Sequence, residues 1–414
     1  MKIVFITDYT PTMDNFNGPS ALGFHLLKEL KKNNELFIYS TNSNKVPEKY
    51  ISKAKEYLGS HFKITPRSFL MRLFIYSKTY RLFSLFFSKD MPAVARYKLP
   101  SRIHKEITRL KPDLVIIYPI HLVRVMKQMN KFKTMVIGPD CFMLHHLRAI
   151  ADSYATNNPC YFYNTVKGIK TEAYVEREAA RLVDYIALVG QTDCILFQKI
   201  TGSRKSFFLP HPHFTLTEKE INLNKPVLKV VITGAFNQYT YSDALAMMKS
   251  LKNNSDKLKN FHFTFIGRNW DAIVNELKQI LYVEHKTWVD NYIEEIKNHD
   301  IQILPISVGS GTKGKALDAL ATGLLCIGSC YAFENIAVTP DESCIIYKSA
   351  TEIPQILVDI KMHSTKYEQI ARNGKNSVRH YHDATAIVKG LKERLLNNRT
   401  FPYEGKYFSG LIIK

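Results

Sequence analysis

Gly309-Ser310-Gly311-Thr312-Lys313-Gly314-Lys315-Ala316-Leu317-Asp318-Ala319-Leu320-Ala321-Thr322-Gly323 is the stretch on which the reading of this chain turns. The short apolar run at 301–306 before it predicts a buried strand. The glycines let the backbone turn sharply and approach a ligand closely. Residues 315–321 then predict a helix, which Gly323 stops. A strand, a Gly-rich loop and a helix N-terminus in succession make an anion site, because unpaired N–H groups and the helix dipole both favour phosphate. Lys313 and Lys315 add positive charge. Asp318 follows Gly311 by seven residues, about 10 Å along a helix at ~1.5 Å per residue. That separation suits a carboxylate holding a ribose diol while the loop holds the phosphates. The residues predict a nucleotide-diphosphate site.

Two other readings compete for the same residues. Gly309 and Gly314-Lys315 have the spacing of a P-loop, but Ala316 stands where that motif needs a hydroxyl to ligate Mg²⁺. A tight turn with solvated lysines, as in ordinary αβ connections, is the second.

Around this stretch lies a chain of 414 residues, enough for about two or three domains. Hydrophobic content of 45% and charged content of 23% belong to a globular protein rather than a disordered one. The net charge of +20 favours an anionic partner or surface. Six cysteines without a C-x-x-C pair fit reduced thiols in a cytosolic protein. The opening Met1-Lys2-Ile3-Val4-Phe5-Ile6-Thr7-Asp8 reads as a strand rather than a signal peptide, and no uncharged stretch is long enough for a transmembrane helix.

Buried strands are predicted at 3–7, 36–40, 114–118, 134–138 and 185–189, with helices at 21–33 and 171–182. After the polar, proline-marked Asn222-Leu223-Asn224-Lys225-Pro226, a second series begins. It has strands at 227–233 (ending in Gly234), 261–266 (ending in Gly267-Arg268), 283–287 and 301–306, and a helix at 242–252. The expectation is an α/β protein of two Rossmann-like, doubly wound domains facing across a cleft. Residues 1–222 form the N-terminal acceptor-side domain and 223–382 the C-terminal nucleotide-sugar domain. Residues 383–414 form a helix and tail that pack back toward the first domain.

In this arrangement the chain resembles a GT-B glycosyltransferase, closest to the retaining family 4 type. The motif that carries the likeness is Lys315-Ala316-Leu317-Asp318-Ala319-Leu320-Ala321-Thr322-Gly323 after its Gly-rich loop. The resemblance implies that Asp318 binds the donor ribose and that Gly311, Thr312, Lys313 and Lys315 serve the diphosphate. It also places Gly234 at the turn beside the diphosphate; Arg268 is the candidate substitute for the Arg that usually follows that turn, a surface residue being the plainer reading. Trp288-Val289-Asp290 resembles the segment whose backbone meets the base, with Val289 at its centre, and Asn17-Gly18-Pro19-Ser20 resembles the loop facing phosphate and acceptor. Two departures stand out. Ser310 occupies the position eight before Asp318 where the family often has a glutamate, and no Arg follows the turn at Gly234.

Gly138-Pro139-Asp140-Cys141-Phe142-Met143-Leu144-His145-His146 follows a predicted strand and resembles the loop that meets the transferred sugar. Asp140 and His145 are the catalytic candidates, with His121 next; a helix N-cap is the plainer role for Asp140. His211-Pro212-His213 reads as a hinge, since two histidines make no metal site. Glu172, Glu176 and Glu178 read as a solvated helix face. Neither a metal nor another cofactor is expected, the nucleotide sugar being a substrate.

Residues 61–110 hold eleven Lys/Arg against two Asp/Glu, and aromatics alternate with basic residues from Arg67 to Lys98. This pattern suits an anionic bilayer surface, or else a packed helical pair with its charges outward. Charge alone also allows nucleic acid, but no recognised module accompanies it and none is expected as partner. The expected partners are a nucleotide sugar and a saccharide or lipid-linked acceptor, at the inner face of the cell membrane. A GT-B-fold sugar-nucleotide epimerase and a non-catalytic nucleotide-sugar or anionic-polymer binding protein are the alternatives.

Overall fold

The computed structural model describes residues 1–13, 18–67, 93–213, 219–397 and 406–409. Its strands are β1 (Lys2–Thr7), β2 (Glu35–Ser40), β3 (Phe62–Ile64), β4 (Leu114–Tyr118), β5 (Thr134–Gly138), β6 (Tyr185–Leu188) and β7 (Ser206–Phe208), then β8 (Leu228–Thr233), β9 (Phe261–Ile266), β10 (Tyr282–Lys286), β11 (Ile301–Leu304), β12 (Leu325–Gly328) and β13 (Ile345–Ile346). The first seven make one parallel sheet in the order β3-β2-β1-β4-β5-β6-β7. The last six make another, β10-β9-β8-β11-β12-β13, also parallel. Strands buried on both faces need consecutive apolar residues. Val230, Val231 and Ile232 on β8, and Val115, Ile116 and Ile117 on β4, are all fully buried.

The chain divides into two compact units, Met1–His146 with Val166–Leu209, and Leu147–Thr165 with Pro210–Lys414. The C-terminal helix Ala384–Asn397 belongs to the second unit. Each sheet reverses its strand order once, between β1 and β4 in the first unit and between β8 and β11 in the second. In open parallel sheets the carboxyl ends at such a reversal form a ligand crevice.

Two helices extend beyond expectation. Residues 142–146, expected in a loop, open the helix Phe142–Ala155. Its signal was invisible locally because its first turn is capped from elsewhere: Asp193 accepts the Cys141 N–H at 2.7 Å and Glu176 that of Met143 at 3.3 Å. The helix expected from 171 runs over Pro159–Leu182. Asn158 caps it by accepting the Tyr161 N–H at 3.1 Å, and Pro159 suits a first helical position. Gly168 within it is a packing requirement, since a Cβ there would land on the His146 ring.

The charged residue Arg67 does not belong to a basic surface. Its side chain is buried, pairs with Asp8 and lies over the Tyr97 ring at 4.9 Å. Residues 68–92 of the basic aromatic stretch lie outside the described residues, and of those after them Ala95 and Tyr97 are buried. Among the described residues, no helix is long and apolar enough to cross a membrane. All six cysteines are thiols.

Candidate functional site

In the second unit β8 ends at Thr233 and the chain turns at Gly234, whose φ of 106° is left-handed. The turn is tightly held: the fully buried Trp270 donates its indole N–H to Gly234 O at 2.6 Å, and Gly234 N–H bonds Ile266 O at 2.8 Å. The matching turn after β9, at Gly267, packs so closely that a Cβ there would collide with Gly234 O. A Cβ at Gly234 would in turn land on the Lys315 ammonium. The glycine is therefore the seat of a lysine from the next motif in sequence. Burial lowers the Lys315 pKa to about 8, against the opposing pull of Asp318.

Lys315 and Asp318 share one face of the helix Gly314–Thr322, as positions three apart do. The N-cap residue Lys313 makes no side-chain capping hydrogen bond to this helix, and Gly323 ends it with φ 97°. The preceding loop turns its carbonyls onto three donors: Arg148 Nη1 to Gly309 O at 2.6 Å, Lys313 Nζ to Ser310 O at 2.6 Å and Gly311 O at 3.2 Å, and Asn335 Nδ2 to Gly311 O at 3.0 Å. A trans peptide points its C=O and N–H in opposite directions. The N–H groups of Ser310, Gly311 and Thr312 thus face away from those donors. Lys313 thus bonds carbonyls of its own loop. Arg148, absent from the sequence reading, is further locked by a buried two-pronged pair with Glu334, at 2.6 and 2.8 Å. No motif in the sequence signals this pair.

Asp318 is buried, and His213 donates Nε2–H to its Oδ1 at 2.9 Å. Beneath it, Thr233 Oγ1 lies 3.1 Å from the Tyr292 hydroxyl and accepts from Gln302 Nε2 at 2.8 Å. The Tyr292 pKa is raised, by burial first and then by the Asp318 charge. Arg268 stands exposed after β9, its carbonyl accepting Phe236 N–H at 2.9 Å. Val289 packs against the core cluster that includes Leu304, Ala316 and Leu317. Gly234, Lys315 and Asp318 are thus brought together, with the loop at Gly311, Thr312 and Lys313 on the same helix start.

In the first unit, Gly18 is the first residue of the helix Gly18–Lys31 and is exposed. Asp140 is half-buried in the link from β5 to the helix Phe142–Ala155, and His145 lies in that helix rather than in a loop. His121 Nε2 sits 2.8 Å from Glu172 Oε2. Glu176, expected on a solvated face, is fully buried, and that burial raises its pKa to about 7. Its partners are Met143 N–H at 3.3 Å and Cys141 Sγ at 3.7 Å. Among the described residues no three His, Cys, Asp or Glu side chains are placed to hold a metal ion.

A family model described as Glycosyl transferase-like matches residues 245–393. That stretch is similar to the glycosyl transferase-like family. It contains Arg268, Val289, the Gly311–Lys315 residues, Asp318 and Glu334, while Gly234 and His213 precede it. Over 96% of its length the chain is similar to the whole of three solved structures: HepE from Anabaena in complex with UDP-glucose (12% identity, TM-score 0.65), sucrose-phosphate synthase from Thermosynechococcus elongatus (12%, 0.64) and S. aureus TarM (8%, 0.64). The fold so shared is GT-B, two parallel-sheet α/β units in tandem. No curated protein matches the chain.

Proposed function

We propose that the protein is a metal-independent, retaining glycosyltransferase that moves a sugar from a nucleotide-diphosphate donor to a saccharide or lipid-linked saccharide. The observation that carries this reading is Lys315 seated on Gly234 at the carboxyl end of β8, with Asp318 one turn further along the same helix. A cation, a Gly-rich loop and a helix N-terminus suit a departing diphosphate, whose charge grows in the transition state. Asp318 then takes the ribose diol. The UDP and UDP-glucose complexes of HepE lend support by analogy of fold. In the first unit, the buried Tyr118 hydroxyl at the end of β4 has no hydrogen-bond partner among the described residues. The chain works at the cytoplasmic face of the membrane, in surface polysaccharide or glycoconjugate synthesis, with the basic aromatic stretch as its contact.

A panel of nucleotide sugars and nucleoside diphosphates, screened by thermal shift, tests the reading. A true donor raises Tm with concentration. Lys315→Ala and Asp318→Ala lose roughly 2–5 kcal/mol of binding while staying folded. Unchanged affinity in both removes the donor site. Acceptor-independent conversion of the sugar identifies an epimerase instead, and binding without any turnover a sensor.

A further inference from the structure

The backbone of His213 is fixed on both sides by the C-terminal part of the second unit. Its N–H donates to His382 O at 2.7 Å, its O accepts from Ala384 N–H at 3.2 Å, and the pair His213 and Asp383 forms a parallel bridge. His382 is itself buried and bonded at both ring nitrogens. Ala337 N–H donates to its Nε2 at 3.1 Å, so the ring proton is on Nδ1 and goes to His211 O at 2.9 Å. Burial lowers the pKa of His382 to about 3 and that of His211 to about 4, so both rings are neutral. From this rigid frame the His213 ring reaches Asp318, a carboxylate that can only accept.

The terminal torsion of an aspartate is broad and two-fold. A carboxylate that must meet two vicinal hydroxyls at once gains from having that torsion set beforehand, because less freedom is lost on binding. We propose that His213 is a positioning residue that sets the plane of the Asp318 carboxylate for the donor ribose, and through it the preference for ribonucleotides over their 2′,3′-dideoxy counterparts. The proposal rests on the reading of Asp318 as the ribose ligand. It turns the segment His211-Pro212-His213 from a plain linker into part of the donor site, tied to the residues at 382–384.

The test compares uridine, adenosine and guanosine diphosphates, their 2′,3′-dideoxy forms and inorganic pyrophosphate by calorimetry, on wild type, His213→Phe, His213→Gln and Asp318→Asn. Wild type should bind one ribonucleotide at least about tenfold better than its dideoxy form, the scale of a hydrogen bond to a charged group. In His213→Phe that ratio should fall toward one with pyrophosphate affinity unchanged, and His213→Gln, which keeps an N–H donor, should restore much of it. A ratio unchanged in His213→Phe overturns the inference while leaving the donor site standing. A ratio unchanged in Asp318→Asn, or no nucleotide binding by wild type, overturns the underlying reading. Should His213→Phe fail to fold, ¹⁵N imidazole spectra of wild type decide. The Nε2 signal of His213 should shift with the ribonucleotide and stay put with pyrophosphate; no shift with either overturns the inference.

Discussion

Glu176 shows how far a single burial can move a residue's chemistry. Desolvation dominates over its hydrogen bonds from Met143 N–H and Cys141, and its pKa stands at about 7 against an ordinary 4.5. Between those values the unfolded chain releases the proton while the folded chain keeps it. Stability therefore falls as pH rises through this window and the full penalty is present above about 7, a loss on the order of 3 kcal/mol. Glu176→Gln should flatten that dependence, so that urea midpoints at pH 5 and pH 8 converge. A midpoint difference as large as that of wild type means that Glu176 is not the group responsible. Lys315 carries the opposite sign. Its pKa is lowered to about 8 by burial, so the empty site loses its cation above that pH. Affinity for a nucleoside diphosphate should fall as pH rises from about 8, with proton uptake on binding measurable as a buffer-dependent heat. An affinity flat from pH 7 to 10 would separate Lys315 from the phosphates.

At the level of elements, the loop at 309–313 owes its shape to side chains distant in sequence. Removing Arg148 strands the buried Glu334 carboxylate, a change that typically costs 3–5 kcal/mol. Arg148→Ala should lower Tm markedly and weaken diphosphate binding. In the double variant Arg148→Met with Glu334→Leu, stability should recover while binding stays weak, because Gly309 O still lacks its donor. Full recovery of binding would make the pair purely structural. The segment at 68–92 makes its own test. Charge attraction to an anionic surface contributes about 1 kcal/mol per basic residue and is screened by salt. Changing Arg72, Lys78 and Arg81 to Glu should abolish salt-sensitive co-sedimentation with anionic vesicles while Tm holds. Co-sedimentation indifferent to lipid charge would end the membrane assignment.

For the whole molecule, the donor candidates lie in the second unit and Asp140, which the sequence suggests as a catalytic residue, lies in the first. If Asp140 steadies positive charge developing on the transferred sugar, its contribution is larger in the transition state than in the ground state. Asp140→Asn should then cut kcat by about 100-fold with little change in donor KM or Tm. A loss confined to Tm would return Asp140 to a structural role in the link after β5.

Five strands of the first sheet and four of the second were legible in the chain, because parallel strands covered on both faces must be runs of apolar residues, as at 114–118 and 228–233, whereas β3, β7, β12 and β13 were not read. The Gly-rich loop, the helix that follows it and its stop at Gly323 were legible for a related reason: backbone geometry there depends on neighbours in sequence. What tertiary structure alone decided depends on partners remote along the chain. Phe142–Ala155 is a helix because Asp193 and Glu176 cap it; the loop at 309–313 is set by Arg148 and Asn335, and Asp318 is aimed by His213. Sequence spacing records which residues share a face of one element. It does not record which groups burial and hydrogen bonding bring together from different elements, from tens to more than a hundred residues apart.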